Sequence, residues 1–161
     1  MSDDARPPDP DSPGPVRRTP SAVVLALAAA LLVLAAPVAL WWAVGHQTVN
    51  DPDPDHAVPP LEIPPAVEST LGPLALVGTV VTAVLLARWT SQRVLDPVWW
   101  SVTGPLLGAG LALALVHRVV TAEVIGANIG AGLAILFGLP CAALLTLVGL
   151  GRALYLLVGR P

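Results

Sequence analysis

Four apolar stretches, at roughly 21–44, 70–88, 99–117 and 125–150, limit what this chain can fold into more than anything else in it. Each reaches or approaches the about 20 residues that a helix needs to cross a hydrocarbon core. They take up more than half of the 161 residues, so no remaining segment can build a water-soluble core. The 55% hydrophobic content, 12% charged content and mean hydropathy of +0.74 agree with that assignment. The expected fold is an all-α integral membrane four-helix bundle. A membrane domain over 21–158 follows a disordered tail over 1–20 and carries an acidic, proline-rich outer loop over 45–69.

Threading the stretches through a bilayer segregates the arginines. Arg6, Arg17, Arg18, Arg88, Arg93, Arg152 and Arg160 fall on one side, and Arg118 falls alone on the other. The positive-inside rule then puts both termini in the cytoplasm of a multi-pass plasma-membrane protein. The tryptophans mark the same boundaries. Trp41 and Trp42 close the first stretch, Trp89 closes the second, and Trp99 and Trp100 open the third, as expected of rings that favour the headgroup level.

Residues 1–20 hold six prolines, four aspartates and two serines, a composition that cannot bury apolar area and reads as a disordered cytoplasmic arm. Arg17-Arg18 before the first stretch resembles a signal-peptide start. The apolar run of about 24 residues exceeds the roughly 7–15 of a secretory core, so an uncleaved anchor is the better reading. Pro37, Pro105 and Pro140 lie inside stretches and should bend them, whereas Pro73 sits near the start of the second, where it costs little. Cys141 is the only cysteine and reads as a small packing residue, which excludes an internal disulfide. The chain has no lysine, and its Ala, Val, Leu, Gly and Pro bias suggests a GC-rich bacterial gene.

Small residues recur at every fourth position. The last stretch carries Gly126, Gly130, Ala134, Gly138, Ala142 and Thr146; the third carries Gly104, Gly108 and Ala112; the second carries Ala75, Thr79, Ala83 and Ala87. Such rows let helices approach closely. They point to packing within the four helices, with a seam between copies of the chain as the alternative.

Between the first two stretches lie Asp51, Asp53, Asp55, Glu62 and Glu68 with His46 and His56 and no basic residue. The Asp51-x-Asp53-x-Asp55 spacing with Glu62 twelfth imitates a calcium loop, but His56 stands where that loop needs glycine, and Pro52 and Pro54 remove amides. A looser divalent site on Asp51, Asp53, Asp55 and His56 is chemically reasonable. An extended, proline-stiffened spacer is the simpler reading.

The short turn after the third stretch gathers Arg118, Thr121, Glu123 and Asn128, a polar cluster for a ligand or partner or else a salt-bridged turn. An isolated boundary arginine wants a counter-charge, and Glu123 is the nearest carboxylate in sequence. His117 reads as an interfacial anchor. The run from Arg118 through Glu123 and Asn128 to Gly132, together with Trp41-Trp42, resembles small four-span membrane proteins of unassigned function from actinobacteria. That resemblance implies no activity and transfers no catalytic residue.

No Ser-His-Asp grouping, HExxH, phosphate loop or carboxylate pair within a stretch points to an enzyme, and no cofactor motif is present. No basic patch exceeds Arg17-Arg18, which argues against nucleic acid. The expected role is a non-enzymatic scaffold or interaction partner in the bacterial envelope, working in the lipid bilayer as a homo-oligomer or with another membrane protein. Alternatives are a small oligomeric transporter or channel subunit, and an extracytoplasmic accessory protein that binds or senses a divalent cation.

Overall fold

The structure is a computed structural model that describes residues 20–46, 57–123 and 127–159. Four helices form it: α1 (Ala22–Val44), α2 (Pro65–Ser91), α3 (Trp100–Val120) and α4 (Ala127–Val158). All four helices, counting the short turn that leads into α3, are long and apolar enough to cross a membrane. The residues 1–19 of the predicted tail lie outside the described residues, as do Arg160, Asp51, Asp53, Asp55 and His56 of the loop and Gly126 of the small-residue row.

Local chemistry sets the helix ends. Ser21 opens α1: its hydroxyl accepts from the Val24 amide at 3.4 Å. Gly45 closes it in the left-handed region (φ 68°), with its amide on the Trp42 carbonyl. The second helix starts five residues before the apolar run, because Pro65 suits a first helical position and Glu68 suits the positive end of the helix dipole. Asp96 accepts from the Val98 amide at 3.0 Å and starts the 3₁₀ turn Pro97–Trp99, which feeds into α3.

The helices pack as an open row. α1 lies between α2 and α3, and α4 packs along the other side of α3; among the described residues no comparable contact joins α4 to α1 or α2. The tightest cluster is Leu32 and Ala36 of α1 with Leu86 of α2, and Trp100, Leu107 and Leu111 of α3 pack against it. Close approach makes most other contacts, as rows of small residues do in membrane proteins. Gly110 sits so near Pro37 that an added Cβ would meet its Cγ at 2.5 Å, which brings α1 and α3 together at mid-helix.

Pro140 acts on α4 through a π-helical turn at Ala134–Gly138 rather than a simple kink. Proline lacks the amide that would bond the preceding turn, and its ring crowds the carbonyl there; a wider turn relieves both. The effect on packing is visible along the seam. Gly130 lies over Val119 and Gly138 over Val116, so eight residues of α4 pass only three of α3. From Gly138 to Gly149, which lies over Leu106, eleven residues pass ten. The first third of α4 therefore crosses the end of α3 steeply, and the rest runs antiparallel to it.

Outward faces are aliphatic. Leu27 is 64% exposed, Val77 59% and Leu147 67%, an apolar surface far beyond what a water-soluble monomer presents.

Candidate functional site

The polar chemistry collects at the end of the row where α1 and α3 finish and α2 begins. Arg118, in the last turn of α3, is only 5% exposed. The last carbonyls of α1 lack intrahelical donors, and α1 has no basic residue in its own last turn. Arg118 serves instead, donating from Nε to the Trp41 carbonyl at 2.7 Å. Its guanidinium also lies 4.0 Å from the centroid of the Trp41 ring, in cation–π contact. Trp41 in turn donates from its indole Nε1 to Nδ1 of His117 at 3.1 Å. Two successive residues of α3 thus hold one tryptophan of α1 by carbonyl, ring face and ring edge.

The third helix joins through Glu68. Its Oε1 stands 3.8 Å from Arg118 Nη2 and 3.7 Å from His46 Nδ1. Both separations exceed a hydrogen bond: Arg118 faces Glu68 as an ion pair, His46 lies beside the same carboxylate, and Nη2 is buried without a hydrogen-bond acceptor. The carboxylate beside Arg118 is Glu68, fifty residues upstream, and not the sequence-adjacent Glu123. Thr121 closes α3 by donating from its hydroxyl to the His117 carbonyl at 2.7 Å. Glu123 is partly buried beyond the helix end, and Asn128 is exposed in the first turn of α4. Of the expected polar cluster, Arg118 and Thr121 stand at the end of α3. The residues missed were Trp41, His46 and Glu68. Their signal was topological, since alternating helix directions bring both ends of the first loop to the end of the third helix.

Comparison with protein-family models, with curated proteins and with solved structures gave no match.

Trp42 does not stand free at a boundary. Its ring lies on the backbone of Gly72, where any Cβ would fall inside the indole. The loop returns here as well: the Val58 amide donates to the Val120 carbonyl at 3.1 Å and so caps the last residue of α3. Among the described residues no three His, Cys, Asp or Glu side chains gather as metal ligands would.

The small-residue rows divide by use. Ala131 and Ala142, each 2% exposed, and Gly130 and Gly138 face α3, and Gly108 meets Leu145 of α4. Ala134 is partly buried beside them, whereas Gly104 is exposed with nothing near it.

At the opposite end the ties are simpler. Trp100 donates from Nε1 to Thr90 Oγ1 at 2.9 Å, joining α3 to α2, and Arg152 donates from Nε to Ser101 Oγ at 3.0 Å, joining α4 to α3. Between α1, α3 and α4 runs a groove of about 650 Å³ whose lining includes Ala26, Ala29, Val33, Trp99, Leu106 and Leu157. Apart from Trp99 and Thr103 the walls are aliphatic, a surface suited to hydrocarbon and not to a polar substrate.

Proposed function

We propose that the protein is a non-enzymatic integral membrane protein of the bacterial envelope that acts by binding other membrane components, as a scaffold or interaction partner. The observation that carries this reading is the division of labour among its side chains. The polar groups of α1–α3 at the Arg118 end, and Trp100, Thr90, Arg152 and Ser101 at the other, join helix to helix. The surface left for anything else is the aliphatic outer face of the row, chiefly on α2 and α4.

The same geometry supports an orientation. Arg88, Arg93 and Arg152 lie at the Trp100 end, which the positive-inside rule assigns to the cytoplasm. Arg118 is the exception in sequence only. Buried and bonded to a carbonyl, it serves as an interhelical tie and not as a loop charge.

Photo-crosslinking in native membranes from Leu147 of α4 and Leu76 of α2 tests the role. The expected result is a discrete adduct with a second membrane protein. Adducts with lipid alone, or solute flux through vesicles containing only this chain, would overturn it, the latter in favour of a channel or transporter subunit.

A further inference from the structure

We propose that the Trp41–His117–Arg118 cluster is a pH-sensitive latch, closed while His117 is neutral and opened when acid protonates it. The indole of Trp41 can only donate, so His117 Nδ1 must offer a lone pair to make the 3.1 Å bond. That fixes His117 as the neutral tautomer with its proton on Nε2. A proton on Nδ1 sets two donors face to face, breaks the bond and puts a second cation beside the Arg118 guanidinium.

Beside this bond, His46 and Arg118 face the same oxygen, Glu68 Oε1, at nearly equal distances of 3.7 and 3.8 Å. The guanidinium stays pinned through Nε to the Trp41 carbonyl, and what a proton on His117 releases is one edge of the ring on which it stacks. Histidine is the side chain whose charge changes nearest to neutral pH, so His117 beside a buried guanidinium makes a responsive element.

The groups that meet His117 are Trp41 of α1 and Arg118 of its own helix; Glu123 lies beyond the end of α3. The first turns of α4, Ala127–Leu133, contain no charged residue.

The test is a pH titration of the indole N–H resonances of the ¹⁵N-labelled full chain in lipid nanodiscs. Trp41 is identified by the signal missing in Trp41→Phe. The expected result is a reversible shift of the Trp41 resonance between pH 8 and 5, with the Trp100 resonance, bonded to a threonine hydroxyl, unmoved. In His117→Gln, which has no titrating ring beside the indole, the Trp41 shift should be lost. In His46→Gln it should persist. A Trp41 resonance that stays constant in the native chain, or still titrates in His117→Gln, overturns the proposal. Should His117→Gln fail to fold by circular dichroism, the contrast between Trp41 and Trp100 in the native chain decides alone.

Discussion

The two ends of the helix row solve one problem with different chemistry. At each end a tryptophan donates its indole proton to a neighbouring helix: Trp41 of α1 to His117 of α3, and Trp100 of α3 to Thr90 of α2. At each end an arginine Nε crosses to another helix: Arg118 to the Trp41 carbonyl, and Arg152 to the Ser101 hydroxyl. The Trp100 end uses neutral hydroxyl partners, and its arginine is partly exposed. The Arg118 end buries its guanidinium and sets it against the Trp41 ring, the Glu68 carboxylate and, beside it in sequence, an imidazole. A neutral, solvated tie is cheap to break and indifferent to pH; a buried ionic one is neither. The row is therefore fixed at one end and conditional at the other.

The sharpest way to break that comparison is to remove each arginine. Arg118→Ala should cost about 3 kcal/mol, the low end of the range for a buried pair that loses one member. The low end applies because Glu68, left behind, is 23% exposed on its side chain and can rehydrate. Arg152→Ala should cost about 1 kcal/mol, the value of an ordinary hydrogen bond. Denaturant unfolding in detergent micelles, followed by circular dichroism, measures both. Equal losses would show that burial does not distinguish the ends.

How far the sequence foretold this arrangement depends on the range of the interaction. Helix existence rests on runs of about 20 apolar residues, a local property, and all four helices stand where those runs lie. Helix ends were less legible, since α2 begins at Pro65 and α4 continues to Val158, where proline, acidic or amphipathic residues extend a helix past its apolar run. Packing order was not legible at all. A spacing of four identified Gly130, Gly138 and Ala142 but could not say that they face α3, nor that Gly104 faces nothing. The partner of Arg118 failed for the same reason. Glu123 is near in sequence, but a chain that crosses back and forth brings Glu68 nearer in space.

Glycines sharpen the comparison at the next level of energy. Gly72 meets three atoms of the Trp42 ring, and a fused ring wedged between helices cannot bend away. Gly72→Ala should therefore cost up to about 3 kcal/mol by overpacking. Gly149, towards the other end, faces mainly Leu106, whose Cγ would stand 2.7 Å from an added Cβ. A leucine side chain can change rotamer, and alanine favours the helix by about 1 kcal/mol over glycine, so Gly149→Ala should be closer to neutral. Thermal unfolding of the two variants in one detergent orders them. A larger loss at Gly149 would mean that the α3–α4 seam, with the Val102 carbonyl 3.3 Å from the new Cβ, is the stiffer contact.

The smallest difference lies between the two tryptophan bonds, and it is the one that pH should erase. Trp100→Phe removes a donor from Thr90, but that hydroxyl keeps its own bond to the Leu86 carbonyl at 2.8 Å, so the expected cost is below about 1 kcal/mol. Trp41→Phe leaves His117 Nδ1 without its donor and weakens the ring under Arg118, for a loss of about 1–2 kcal/mol at pH 8. Protonated His117 accepts nothing, so acid that protonates it removes the indole bond from the parent chain as well. The cost of Trp41→Phe should then fall towards that of Trp100→Phe, while the cost of Trp100→Phe stays the same at both pH values. Unfolding of the two variants and the parent at pH 8 and pH 5 makes the measurement. A Trp41→Phe penalty that is unchanged by acid would assign the Arg118 end the same fixed role as its counterpart.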